Sequence, residues 1–340
     1  MTLRGKFRLL LDLVIPRKNI DIDESVESFV TRRFGREALI NIAEPILGGV
    51  YNSEMSTQSI LSSFPQFKIM EKNHGSLIRG MRKTTNMQSE QQSYEKGFAS
   101  LKQGMDSLIS TLVKSLKGKL ILESEVIEIQ KNNSIKLKNG KSINFEYLII
   151  ATQANTTSKL LENINKDTSK LLGQIRYESV GCVSFVFNEN DIPQSINSHG
   201  VVVPGISNKN IDGIQFSSYK WNGRVQTGKV LIRGFFGGPN TREILEEKDE
   251  LILEKVLEDI KNILNITTTP LNSYLKKWIN SYPQYDINHA SLILKIKNNL
   301  PSNIKISGNA YHGIGMPDTV NSAKRAAEEI EIDIKENEKL

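Results

Sequence analysis

The sequence predicts a mixed α/β (α+β) protein: a helical front, a short α/β layer, an inserted sheet-based domain, and a closing strand and helix. Three observations carry this. Apolar residues in the first part recur at helical spacing. Asn139-Gly140 marks a hairpin that leads into the continuous apolar run Tyr147 to Thr152. From there strand-like segments dominate, until the chain closes on a strand, a glycine-rich turn and one more helix.

Composition bounds the class. With 38% hydrophobic and 24% charged residues over 340 positions, the chain can bury a sizeable core and is neither disordered nor collagen-like. Lys+Arg 44 against Asp+Glu 38 leaves +6, too small an excess at this length to imply a nucleic-acid partner. Cys182 is the sole cysteine, so no disulfide framework exists; it reads as a small buried strand residue in a reducing compartment. His74, His199, His289 and His312 never pair at metal-ligand spacing, and no metal is expected.

The first 15 residues place basic side chains before an apolar run, as a signal peptide does, but Asp12 interrupts the run and no small-residue cleavage site follows. Leu9 to Ile15, flanked by Arg4, Lys6, Arg8, Arg17 and Lys18, reads either as a surface-lying membrane segment or as an ordinary half-buried helix. Val26, Phe29, Val30 and Phe34 predict a helix, with Asp23 or Ser25 as N-cap and Gly35 as its end. A second helix is expected from Glu37 to Leu47, with Leu39, Ile42 and Ile46 on its apolar face and a stop at Gly48-Gly49. Lys83 to Ser93 is polar and reads as a mobile loop.

Near Leu120 the pattern changes. Ile121 to Ile129 alternates like a strand, the hairpin follows, and Tyr147 to Thr152 reads as a strand buried on both faces of a mostly parallel sheet. Val180 to Phe187, Gly200 to Val203, Gly213 to Ser217 and Lys229 to Phe236 are further strands, interrupted by a helix over Thr241 to Leu264. Ile304 to Gly308 is a short strand, and the last helix shows Val320, Ala323, Ala327, Ile330 and Ile334 as its apolar face.

The segment richest in chemistry is Gly308-Asn309-Ala310-Tyr311-His312-Gly313-Ile314-Gly315-Met316-Pro317-Asp318. A strand runs into a glycine turn and then a helix opened by Pro317. Glycines let backbone approach a planar ligand, and a helix start offers unpaired N–H groups to developing negative charge. Chemistry alone leaves a ligand-free tight turn equally open.

That run, with Ala323-Lys324-Arg325-Ala326-Ala327-Glu328 behind it, resembles the C-terminal flavin-binding segment of protoporphyrinogen oxidases. Phe34-Gly35-Arg36-Glu37, Glu44-Pro45-Ile46-Leu47-Gly48-Gly49-Val50-Tyr51, Phe64-Pro65-Gln66 and His74-Gly75-Ser76-Leu77-Ile78-Arg79-Gly80 resemble the helical region of that family. Leu101-Lys102-Gln103-Gly104-Met105 and Pro283-Gln284-Tyr285 also fit. The pieces stand in family order along essentially the whole chain. No G-x-G-x-x-G occurs, so the expectation is a chain without the N-terminal nucleotide-binding segment that opens members of the family.

The resemblance implies an incomplete FAD-binding Rossmann-like domain with an inserted sheet-based substrate domain and a helical membrane-associated region. The boundaries expected are 1–95 for the helical region, 96–155 for the middle of the FAD-binding domain, 156–300 for the substrate sheet, and 301–340 for the returning strand and helix. It implies FAD contacts at Val126, Gly308, Asn309, Ile314, Gly315 and Met316, and substrate contacts at His199, Gly200, Val202 and Phe235. His199 stands where the family more often has an aromatic, and neither it nor His312 is cast as an acid or base.

The implied reaction is oxidation of protoporphyrinogen IX to protoporphyrin IX, by hydride transfer from meso carbons to the flavin, with no catalytic side chain. Coproporphyrinogen III oxidation is the alternative, and so is a non-catalytic fragment that binds tetrapyrrole or membrane. The partners implied are the porphyrinogen, oxygen or quinone as electron acceptor, a membrane surface and a homodimer mate. The location implied is cytoplasmic, peripheral on the cell membrane.

Overall fold

The computed structural model describes residues 1–18, 22–88, 99–194, 196 and 198–337. Its strands form three sheets. β1 (Val126–Gln130), β2 (Ser134–Leu137) and β3 (Ser142–Asn144) make an antiparallel three-stranded sheet, in which Gly140, at φ +84°, closes the β2–β3 hairpin. β4 (Leu148–Ile150) pairs in parallel with β10 (Ile304–Ile306). The five-stranded antiparallel sheet has the order β6 (Gly200–Val202), β7 (Gly213–Phe216), β8 (Lys229–Phe236), β5 (Tyr177–Asn188), β9 (Asn272–Pro283).

Three cores hold these parts together. In the helical front, Val26–Phe34 folds as expected: Ser25 Oγ accepts the Ser28 N–H at 3.0 Å, and Gly35 ends the helix at φ +90°. Its buried Val26, Phe29 and Val30 meet Leu39, Tyr51, Ile60, Phe64 and Leu77. Beside this core lies a buried ionic network. Arg33 and Asp12 are both fully buried, and Arg33 Nε meets the Asp12 carboxylate at 2.6 Å. Arg33 also donates to the carbonyls of Ile15 and Gly75, while Ser76 Oγ and the Ile78 N–H donate to Asp12. Lys68 and Arg32 both reach Glu24, and Arg32 reaches Glu71. Burial alone raises the Glu24 carboxyl, but its hydrogen bonds to Arg32 and Lys68 and their charges outweigh that and hold it down at about 2.

The second core joins β4 and β10 to the helices Ala154–Leu161, Lys166–Leu172 and His289–Asn299 through Ile150, Leu160, Leu161, Leu172, Ile293, Ile296 and Ile304. The boundary expected at residue 156 therefore coincides with no change of core; residues 156–175 and 289–300 pack with the β4–β10 layer. The third core lies between one face of the five-stranded sheet and the helix Asp249–Leu264. Gly234 makes that contact close: a Cβ there would stand 2.8 Å from Val256.

Several expectations are corrected. The strand over Ile121 to Ile129 begins only at Val126, and Leu120, Ile121 and Leu122 are exposed. The helix over Glu37 to Leu47 continues through Gly48-Gly49 to Tyr51. Its middle, Leu39–Gly48, is a π-helix containing Pro45, whose missing N–H a wider turn accommodates. Of its predicted face only Leu39 is buried; Ile42 and Ile46 are exposed. The polar stretch from Lys83 is helical to Gln88, and the rest of it lies outside the described residues. The strand at 147–152 is buried on one face only, since Ile149 is 40% exposed. The helix expected over Thr241 to Leu264 is divided into a 3-10 turn at Arg242–Glu246 and the helix from Asp249. β9 goes beyond the strands expected from sequence, its apolar residues being interrupted by the polar Asn272, Ser273, Lys276, Lys277, Asn280 and Ser281.

The last helix, Met316–Asn337, buries Ser322 and Ala326 rather than its predicted face; Val320, Ala323 and Ala327 are exposed. Ser322 Oγ accepts the Gly308 N–H at 3.1 Å, and small side chains there let the helix approach the strand that precedes it.

Candidate functional site

The chemistry-bearing turn is where two cores meet. After β10 the chain buries Ala310 and Tyr311 in the second core, then packs Ile314 on the helical core. Gly308 and Gly313 sit at φ +142° and +136°, backbone that L side chains rarely adopt. At Gly313 a Cβ would also stand 2.5 Å from the Asp318 carboxyl carbon.

Tyr285, two residues beyond β9, pins this turn. Its hydroxyl donates to the Asn309 carbonyl at 2.8 Å and accepts the Gly313 N–H at 2.6 Å. The ring is 1% exposed and stacks on His289, with centroids 4.1 Å apart and planes 12° apart. Burial pushes the Tyr285 hydroxyl well above the ordinary tyrosine range. Burial also lowers His289 to about 4, against the opposing effect of its hydrogen bond to the Ala310 backbone. Both rings are thus neutral struts at physiological pH. Beyond Gly313, the N–H groups of Ile314, Gly315 and Met316 find no acceptor among the described residues, and they stand at the start of the last helix.

The residues singled out from sequence fall into two groups. Val126, the first residue of β1, packs at the edge of the second core, the core that also holds Ala310 and Tyr311. Gly308, Asn309, Ile314, Gly315 and Met316 form the turn and helix start, where Met316 is 54% exposed. Val202, Gly213 and Phe235 stand in register across β6, β7 and β8, on the sheet face opposite the third core; Gly200 shares that face one pair further on. His199 lies just before β6, exposed, its carbonyl accepting the Phe216 N–H. Cys182 is buried, and burial raises its thiol. His312 is exposed and takes no part in the turn's hydrogen bonds.

Tyr285 and His289 are the residues that sequence reasoning missed as a pair. Pro283-Gln284-Tyr285 is a recognisable motif, but nothing local says that its hydroxyl meets a turn 24 residues away.

Two cavities flank the helical region. A polar cleft of about 280 Å³ separates it from the sheet, between Arg36, Glu44 and Asn52 on one side and Asp212 and Asn240 on the other. An apolar pocket of about 380 Å³ opens among Phe34, Ile42, Ile46, Phe67 and Met81. Among the described residues no cluster of His, Cys, Asp or Glu is arranged to hold a metal, and no helix is long and apolar enough to cross a membrane.

Comparison with known proteins shows the family. Residues 1–331 match the model of the flavin containing amine oxidoreductase family. The chain is 29% identical over 335 residues to coproporphyrinogen III oxidase of Bacillus subtilis, covering 96% of this chain and 71% of that protein. It is 24% identical to protoporphyrinogen oxidase 2 of Arabidopsis thaliana, over 96% of this chain and 72% of the relative. A crystal structure of a protein from Exiguobacterium sp. 255-15, provisionally described as a protoporphyrinogen oxidase, superposes with a TM-score of 0.83 at 26% identity, covering 98% of this chain and 73% of that one. On this match, and with the glycine turn built as it is, the chain belongs to the flavin containing amine oxidoreductase family, and its cofactor is FAD.

Proposed function

We propose that the chain takes part in FAD-dependent oxidation of a porphyrinogen to its porphyrin, with protoporphyrinogen IX or coproporphyrinogen III as substrate. The observation that carries this reading is continuity. β9 ends at Pro283, Tyr285 follows, and Tyr285 holds the turn at Asn309–Gly313, so the open sheet face and the glycine turn are parts of one rigid arrangement.

The residues present fit the cofactor. Two glycines at positive φ keep side chains away from the turn, and three N–H groups without acceptors among the described residues stand ready for negative charge. FAD supplies the two-electron acceptor. The chain's own residues position and shield: Val202 and Phe235 present apolar surface to a flat macrocycle, and Gly213 between them leaves it room. No ionisable side chain is required as acid or base. Names of relatives support either porphyrinogen.

A membrane surface fits the helical front. Leu3, Phe7, Leu10 and Val14 are exposed at helical spacing, with Arg4, Lys6 and Arg17 beside them. Arg8 is differently employed, donating to the carbonyls of Thr31, Arg32 and Arg33 at the end of the next helix. We take a membrane quinone or oxygen as final acceptor and the cytoplasmic membrane face as location.

The test is anaerobic titration of the 340-residue chain with FAD, followed by porphyrin fluorescence after adding either porphyrinogen and acceptor. Flavin binding with porphyrin formation is expected. Flavin binding with oxidation of amines and no porphyrin would move the chain to another branch of the family.

A further inference from the structure

The open face of the five-stranded sheet carries a charge pattern that the residues discussed so far leave unexplained. Side chains alternate along each strand, and the registers fix which ones share this face. On β5, Val183, Phe185 and Phe187 enter the third core, so Cys182 and Ser184 face the other way. Cys182 pairs with Phe235 on one side and Lys276 on the other; Ser184 pairs with Arg233 and Tyr274. The result is a floor of two small side chains, walled by Phe235 and Arg233 on β8 and by Lys276 and Tyr274 on β9. Arg233 and Lys276 are exposed, as is Tyr274, at 65%.

Neither cation has an acidic partner among the described residues; the one acid in strands β5 to β9, Glu178, lies beyond the irregularity between Glu178 and Val180 and is paired with Arg176 and Arg242. Lys277, on the core side of β9, by contrast reaches Asp249 at 2.6 Å. Arg233 acts on the floor itself, since its charge pulls the Cys182 thiol down while burial raises it. Strand spacing of about 4.8 Å and a two-residue rise of about 6.8 Å put the Cα atoms of Arg233 and Lys276 roughly 12 Å apart, on opposite walls of the floor.

We propose that Arg233 and Lys276 are carboxylate anchors that hold a porphyrinogen by propionates on opposite edges of its macrocycle, and so favour coproporphyrinogen III over protoporphyrinogen IX. This rests on the porphyrinogen reading above. The physical reason is placement. Protoporphyrinogen carries its propionates side by side on one edge, so both cannot meet cations on opposite walls. Coproporphyrinogen carries one on every pyrrole and can meet both. A flat ring fits the floor because Cys182 and Ser184 are small, and Phe235 and Tyr274 offer it apolar edges.

The test uses stable porphyrins, so that it does not depend on turnover. The full chain with FAD is titrated with coproporphyrin III, protoporphyrin IX and carboxylate-free etioporphyrin, following quenching of protein fluorescence. Wild type is expected to bind coproporphyrin tightest. Arg233→Gln and Lys276→Gln each weaken it roughly tenfold, the expected worth of one charge-assisted hydrogen bond. Arg233→Lys recovers most of the loss, the double variant binds all three porphyrins alike, and etioporphyrin is insensitive throughout. If wild type binds porphyrins but the Gln variants change coproporphyrin affinity less than twofold, or if protoporphyrin binds better, the anchor assignment is wrong and the porphyrinogen reading survives. If wild type binds no porphyrin, both fall together. Both positions are exposed, so unchanged circular dichroism melts keep a folding defect apart from these outcomes.

Discussion

Replacing Tyr285 with phenylalanine removes one oxygen and keeps the buried ring, its stack on His289 and its tilted contact with Tyr51, whose centroid lies 5.6 Å away. What it takes away is the hydrogen-bonded link between the end of β9 and the glycine turn. The Asn309 carbonyl loses a donor at 2.8 Å and the Gly313 N–H loses an acceptor at 2.6 Å, in a place where Tyr285 is 1% exposed and water has little access. An orphaned buried polar group costs about 1–3 kcal/mol, so two give roughly 2–4 kcal/mol once partial relaxation is allowed. The loss falls on the turn, so FAD affinity should drop along with stability. Urea unfolding followed by circular dichroism gives the first quantity, and FAD titration by flavin fluorescence gives the second. Tyr285→Leu, which also removes the ring stack, should be worse on both. A Tyr285→Phe protein within 0.5 kcal/mol of wild type and with unchanged FAD affinity would refute the claim that this hydroxyl holds the turn.

Other outcomes follow from the same geometry. Asp12→Ala leaves the fully buried Arg33 guanidinium without its carboxylate and should cost about 3–5 kcal/mol in denaturant unfolding, whereas removing the exposed pair Lys138–Glu125 should cost almost nothing. Gly313→Ala forces a Cβ against Asp318 at φ +136° and should lower flavin content at purification; Gly118→Ala, where a Cβ meets nothing within 4 Å, is the control. His289 is held neutral down to about 4, while an unfolded histidine protonates near 6.5, so the unfolded chain binds the extra proton between those values. Stability should therefore fall as pH drops from 6.5 towards 4, by at most about 3 kcal/mol, and His289→Phe should flatten that part of the profile in urea melts taken at each pH.

Local signals read well where local physics decides. Ser25 and Gly35 bound a helix because a hydroxyl caps N–H groups and glycine accepts φ +90°. Asn139-Gly140 makes a hairpin because its backbone matches the strand twist. The turn at Gly308–Asp318 was legible because glycine and proline punctuate the backbone directly. Periodicity also gave the last helix, but it named the wrong buried face. Apolar spacing identifies a stripe without saying what lies against it, and here Ser322 and Ala326 won because small side chains suit a close approach to the strand end. Ile42 and Ile46 show the same limit.

By itself the sequence determined the helix at Val26–Phe34, the Asn139-Gly140 hairpin, the glycine turn and the family to which its motifs point, since each depends on neighbours a few residues apart. Tertiary structure alone decided that Tyr285 braces Asn309 and Gly313, that Asp12 neutralises Arg33, and that Arg233 and Lys276 face each other across Cys182 and Ser184. Those partners lie tens of residues apart. Register and packing bring them together, and no pattern along the chain encodes the distance between them.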